Sequence, residues 1–251
     1  MKSLLCALLF TAAFFQQAVA QSSLRDTSVS GLLVGFSYGY QFPLADMAER
    51  FGNNGLVGTE ITYKLRNNFT FGAEAGLIFG RSVNQAGFLD SLMTPDGYFM
   101  GYNGLYGNIA LYERGFNFSG NVGKIIPVFN ANPNSGVYIR LGAGFLQHKI
   151  KITDTEETLY PLNGEYVKGY DRLSNGLMLS QYVGFLHLDP RHFVNFHVGL
   201  LVQEGFTQNR RSWNFDERRK ETEKRLDVLV GLRGTWILPF YGKADERKYT
   251  N

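Results

Sequence analysis

The chain has 251 residues, with 25 Lys and Arg against 22 Asp and Glu, so its formal charge is only +3, part of it on Lys2. So small an excess gives no case for a nucleic-acid partner. The single cysteine, Cys6, excludes an intrachain disulfide and a cysteine metal site.

In chain order, Met1 to Ala20 reads as a secretory signal. Lys2 gives the positive start, Leu4 to Phe15 the apolar run, and Ala18-Val19-Ala20 an A-x-A cleavage site before Gln21. The run is too short for a membrane anchor and has no charged stop behind it. Cys6 falls inside this signal, without the small residues that precede a lipidated cysteine, so the mature chain is expected to carry no thiol. After cleavage no apolar stretch is long enough for a spanning helix. The remaining roughly 230 residues suit one domain.

The first strand is predicted from Leu32 to Phe42. Leu32, Val34, Phe36, Tyr38, Tyr40 and Phe42 alternate with Leu33, Gly35, Ser37, Gly39 and Gln41, a period of two that sends the sets to opposite faces. A soluble sheet would normally carry charged residues on its second face. Here that face is mostly small, which suits the crowded inside of a small closed barrel, while the large set suits lipid. Seven more strands follow, at about 56–65, 69–80, 115–128, 137–152, 177–188, 194–206 and 226–238. Each has about the 9–11 residues that a tilted strand needs to cross a bilayer, some with an overhang.

The connections alternate in length. Those after strands two, four and six are short and built of turn residues: Arg66-Asn67-Asn68, Phe129 to Gly136, and Asp189 to His192. Those after strands one, three, five and seven are long: Pro43 to Asn54, Arg81 to Arg114, Thr153 to Ser174, and Thr207 to Arg225. The expectation is an all-β, eight-stranded antiparallel up-and-down transmembrane barrel with short periplasmic turns and four long external loops. Both termini then lie in the periplasm. Residues 21–29 form a periplasmic N-terminal segment, 30–240 the outer-membrane barrel and 241–251 a polar periplasmic tail. Tyr38, Tyr40, Tyr63, Phe69, Trp236 and Phe240, near strand ends, read as interfacial girdles.

Three segments carry a resemblance: Gly-Phe-Ser-Tyr-Gly-Tyr-Gln-Phe (35–42), Gly-Ala-Gly-Phe (142–145) and Trp-Ile-Leu-Pro-Phe-Tyr (236–241). With them the chain resembles the small outer-membrane β-barrel proteins of Bacteroidota. The chain departs from the many barrels that end on an aromatic residue, because Gly242 to Asn251 follow Tyr241. This places the expected assembly signal at Trp236 to Tyr241.

On this pattern the inward-facing ionisable residues are Glu60, Lys64, Glu74, Arg140, His148, His197, Asp227 and Arg233. A barrel this narrow has room only for side chains, and buried charges must be paired. Glu60 and Glu74 are therefore expected to meet Arg140 or Arg233 across the lumen. Such a network reads either as a structural plug or as a gated polar path.

No catalytic or metal site and no cofactor is predicted. Of the histidines, only His148 lies toward the external end of a strand; His187 and His192 fall near a periplasmic turn. No serine sits in a Gly-x-Ser-x-Gly setting, and no phosphate loop or dinucleotide fingerprint occurs. The fourth loop gathers Arg210, Arg211, Arg218, Arg219 and Lys220 among acids of nearly equal number. It reads as a solvated hairpin or as a surface for lipopolysaccharide phosphates or a partner. The second loop, with Phe88, Leu89, Met93, Tyr98, Phe99, Met100 and Tyr102, is too apolar to float in water. It should fold over the barrel mouth or contact another protein.

The leading reading is a non-enzymatic barrel with a structural or interaction role, whose partners are outer-membrane lipid, lipopolysaccharide and other envelope proteins. One version is an accessory subunit of an envelope secretion or membrane-assembly machine. The alternatives are a lipid A-modifying outer-membrane enzyme and a narrow channel.

Overall fold

A computed structural model of the chain describes residues 28–85, 87–128, 132–154, 158–189 and 194–241. The signal peptide of the sequence analysis and the tail beyond Tyr241 lie outside the described residues.

Eight strands follow one another around a closed ring: β1 (Gly31–Ala45), β2 (Asn54–Lys64), β3 (Phe69–Gly80), β4 (Ile109–Pro127), β5 (Gly136–Asp154), β6 (Ser174–Leu188), β7 (Asn195–Asn209) and β8 (Lys224–Tyr241). Every neighbouring pair is antiparallel, and β8 closes on β1 from Gly31↔Tyr241 to Ala45↔Asp227. Following paired residues once round from Gly35 passes through Glu60, Glu74, Ser119, Gly144, Met178, Gly205 and Asp227. The path returns to β1 at Ala45, ten residues along. That stagger goes with strands tilted by about 35–45°.

The alternation read in β1 holds around the ring. Phe36, Tyr38, Ile61, Phe71, Leu77, Phe118, Leu141, Val183, Val198 and Leu232 are all exposed on the outer wall. In water so continuous an apolar belt would be unstable, whereas in a bilayer it is the solvated surface. None of the helices among the described residues is long and apolar enough to cross a membrane; the apolar belt is carried by the strands. At one rim, Lys124 lays its ammonium 3.9 Å over the Phe69 ring and donates to the Asn67 carbonyl at 2.9 Å. This is how a lysine at the edge of lipid keeps its charge hydrated.

The inner faces fill the lumen. Small residues let the walls approach: a Cβ on Gly144 would meet the Ser119 Cα at 2.6 Å, so that position tolerates only glycine.

Strand lengths differ from the sequence reading at the long-loop end. β4 begins at Ile109, six residues before the expected start, and pairs with β5 out to Ile109↔Asp154. β6 likewise begins at Ser174 and β7 runs to Asn209. Past the apolar belt the outward positions carry polar and charged residues such as Arg114, Lys149 and Lys151, so the apolar/polar contrast that marks a strand fades in the sequence although the pairing continues.

Candidate functional site

Inside the barrel, β2 and β3 set Glu60 directly opposite Glu74, an arrangement that like charges resist. Two guanidiniums from elsewhere in the ring resolve it. Arg140 of β5 reaches Glu60 Oε2 at 2.9 Å and Glu74 Oε2 at 3.3 Å. Arg233 of β8 reaches Glu74 Oε2 at 2.7 Å and Glu60 Oε2 at 3.1 Å. Each acid thus meets both bases in a closed square of alternating sign, with all four side chains buried. The sequence reading brought these four residues into one lumen but left each acid a choice of base; the structure gives it both.

Two further residues complete the square. His197 Nε2 lies 2.9 Å from Glu60 Oε1, and its Nδ1 lies 2.7 Å from the Tyr182 hydroxyl. The neutral ring with its proton on Nε2 satisfies both contacts, donating to Glu60 and accepting from Tyr182. Ser119 Oγ donates to the remaining oxygen of Glu74 at 3.2 Å. The Arg140 guanidinium stacks 4.8 Å from the Tyr182 ring centroid. Two carboxylates, two guanidiniums and a neutral imidazole sum to no net charge.

Toward the long-loop end the lumen is closed by the first loop. Residues 46–51 make a helical turn, in which Phe51 N donates to the Met47 carbonyl at 3.0 Å. Met47, Arg50 and Phe51 stand at i, i+3 and i+4, so one face of the turn points into the mouth; all three are buried there. Arg50 donates to Glu221 Oε1 at 2.7 Å and to Ser174 Oγ at 3.0 Å. Glu221 is also held by Asn209 at 2.8 Å and by Arg225. Burial pushes the Glu221 carboxyl up, but Arg50, Asn209 and Arg225 outweigh it and hold it below the usual range. Arg50 was missed by reasoning on strand periodicity, because its period is helical and it sits in a loop.

Beneath this turn, His148 Nε2 meets Asp227 Oδ2 at 2.7 Å, and the Thr207 hydroxyl bonds the same oxygen. Hydroxyl, imidazole and carboxylate are the parts of a nucleophilic triad, but their order is wrong. A general base must stand between nucleophile and acid; here both threonine and histidine bond the acid. Phe51 closes over the imidazole, 5.5 Å between centroids, and His148 has no exposed surface. At the opposite end Lys64 Nζ donates to Ser28 Oγ at 3.0 Å, the Val29 carbonyl at 2.8 Å and Asn134 Oδ1 at 2.9 Å. This ties the segment before β1 across the short-turn end.

The fourth loop spends several of its cations on this chain's own residues. Arg211 pairs with Asp171, Arg219 with Glu217 and Glu223, and Arg210 donates to Asn175 Oδ1 at 2.7 Å. Arg172 of the third loop takes Asp216 and Glu217 at 3.3 and 3.2 Å. Burial outweighs that pairing at Asp216 and lifts its carboxyl above the usual range. Arg218 and Lys220 are exposed, with no ion pair among the described residues.

The second loop divides. Its first half folds over the mouth, with Phe88 and Leu89 buried and Leu89 N donating to Asp216 Oδ1 at 3.1 Å. Its second half leaves Tyr98, Met100, Tyr102, Leu105 and Tyr106 in the open.

No protein-family model matches the chain, and no curated protein matches it. Among solved structures it is similar to Ail, the attachment invasion locus protein of Yersinia pestis. The identity is 11%, over 84% of this chain and 99% of Ail, with a TM-score of 0.45. Ail in complex with the heparin analogue sucrose octasulfate gives 11% identity over the same shares and a TM-score of 0.44. The outer membrane protein OprG from Pseudomonas aeruginosa gives 8% identity, over 84% of this chain and 97% of OprG, with a TM-score of 0.33.

Proposed function

We propose that the protein is a non-enzymatic barrel of the bacterial outer membrane that holds its external loops as an interaction surface. The observation that carries this reading is the filled lumen: a charge-balanced square at one level, Arg50 and Phe51 in the mouth above it, and Lys64 tied across the other end. A paired core of this kind supports a plug rather than a conducting path, since an ion entering would have to displace a pair held from four strands. The order of Thr207, Asp227 and His148 speaks against acyl transfer there. The alternating loop lengths support long loops outside and termini in the periplasm, and the resemblance to Bacteroidota barrels supports the outer membrane as the bilayer.

The exposed aromatics of the second loop, with Tyr160, Tyr166 and Trp213 of the third and fourth, supply the surface for a protein partner. In one form of this reading, the chain is an accessory subunit of an envelope secretion or membrane-assembly machine. Two measurements test the proposal. The purified barrel should give no steady conductance in a planar bilayer, and a mild-detergent pull-down from outer membranes should retain a partner that Tyr102→Ser with Tyr106→Ser releases. Steady single-channel steps from the wild type would overturn the plug. Identical pull-downs from wild type and variant would overturn the loop surface.

A further inference from the structure

On the outer wall, β4 and β5 set Arg114 opposite Lys149 and Tyr112 opposite Lys151. The inward residues beside them, Glu113, His148 and Ile150, are buried, so alternation turns Arg114, Lys149 and Lys151 outward. Arg114 donates to the carbonyls of Glu113, at 2.6 Å, and Gly80, at 3.5 Å, and lies 5.0 Å from the Tyr112 ring centroid. Among the described residues, no carboxylate pairs with Arg114, Lys149 or Lys151. Like charges directly opposite on antiparallel strands destabilise the pair; Glu113 acts electrostatically on Arg114 but forms no ion pair with it.

A second feature lies on the same wall. Two residues along β4 from Arg114, toward the membrane, begins a groove of about 460 Å³ lined by Phe36, Val57, Ala75, Leu77, Phe116 and Phe118 among others. It opens onto the lipid-facing surface and is almost wholly apolar. The wall therefore presents, from the long-loop rim inward, unpaired cations and then an apolar channel, the order of headgroup and acyl chain in a membrane lipid. Three cations are more than a singly charged phosphodiester balances, whereas a phosphomonoester carries about −1.5 to −2 near neutral pH.

We propose that this face binds a phosphomonoester-bearing, acylated saccharide of the outer leaflet, of the lipid A type. Its phosphate lies among Arg114, Lys149 and Lys151, and an acyl chain lies in the groove beneath. The inference rests on the reading above that these strand ends face outward in the outer membrane.

The test takes the full barrel, extracted from outer membranes in mild detergent, and reads retained lipid by native mass spectrometry. Delipidated protein is then offered lipid A, dephosphorylated lipid A or phosphatidylglycerol. Wild type should favour lipid A over the other two by about tenfold or more, the scale of losing a charge-assisted contact. Arg114→Gln, Lys149→Gln and Lys151→Gln together should abolish that preference, and Ala75→Phe, which fills the groove, should weaken retention. Lys124→Gln, at the opposite rim, should leave it unchanged. Equal retention of lipid A by wild type and a correctly folded triple variant overturns the site. So does equal binding of the dephosphorylated lipid by wild type, a comparison that stands even if the triple variant does not fold. A preference for phosphatidylglycerol would overturn the glycolipid assignment. Recovery of the wild type outside the outer membrane would instead overturn the reading on which the inference rests.

Discussion

Glu60 stands opposite Glu74 across β2 and β3, and Arg114 stands opposite Lys149 across β4 and β5. The two pairs pose the same problem on the two sides of one wall. Inside, the ring is narrow enough for bases on β5 and β8 to reach across the lumen, and both acids end with two guanidiniums each. Outside, side chains on the convex wall point away from the rest of the ring, and among the described residues no carboxylate pairs with Arg114 or Lys149. What solves the conflict in the lumen is curvature; on the outer wall the proposed lipid phosphate would supply the counter-charge.

The largest effect expected from breaking the inner half of this comparison is at Glu74. Glu74→Gln leaves two guanidiniums sharing Glu60 alone, and should destabilise by roughly 3–5 kcal/mol, the range for removing one partner of a buried pair. Adding Arg140→Met or Arg233→Met should recover part of the loss in either case, because each base touches each acid. Urea unfolding in lipid vesicles across the two double-mutant cycles measures this. Strict additivity with either base would mean that the square is not closed on that side.

Next in size is the lipid belt. Leu232 is 66% exposed on the outer wall, so Leu232→Arg should cost about 2–4 kcal/mol if it meets the bilayer interior. The same charge at Ser212, in the fourth loop, should cost little by the same unfolding assay. Comparable losses at both positions would contradict a lipid-facing β8.

The barrel and the identity of its inward charges were legible because a period of two is local: Glu60, Glu74, Arg140 and Arg233 each declare their face within their own strand. Which charges meet is set by register and stagger, properties of the ring that no single strand carries. Hence the sharing of both bases by both acids, and the part played by His197 as a bridge between Glu60 and Tyr182, came only with the structure. Arg50 illustrates a different loss. Met47, Arg50 and Phe51 do show a helical i, i+3, i+4 spacing, but six residues in a loop are too few for that period to stand out from a turn. The charges of the fourth loop were legible, yet its partners Asp171 and Arg172 belong to the third loop, which sequence distance hides.

A smaller, pH-dependent effect separates the mouth from the lumen. Glu221 is held below the usual range by Arg50, Asn209 and Arg225 against the upward push of burial. A depressed acid stabilises above its unfolded value, about 4.5, and loses that contribution as pH falls through the folded value. Asp216, lifted by burial, has the opposite sign, and its contribution grows as pH falls through its raised value. The first-loop turn should therefore stay closed from neutral pH down to about 4.5 and open below it. Limited proteolysis near Glu49 and Arg50 across that range reads the opening. Glu221→Gln should make the turn cleavable at every pH, and cleavage that still switches on below pH 4.5 in this variant would assign the transition to another group.

The smallest effect sharpens the comparison most, because its sign should invert. In delipidated protein, Lys149→Gln removes one of two facing cations and should stabilise by about 0.2–1 kcal/mol, the size of a cross-strand charge term. With lipid A bound, the same substitution removes a contact to phosphate, and the variant should unfold at a lower temperature than wild type. The inner pair allows no such inversion: Glu60→Gln also relieves a facing like charge, but it leaves Arg140 and Arg233 sharing Glu74 alone, and should destabilise with or without lipid. Thermal unfolding of the two variants in both states measures four differences. If Lys149→Gln has one sign throughout, the outer pair is as self-sufficient as the inner one, and the wall needs no counter-charge from outside.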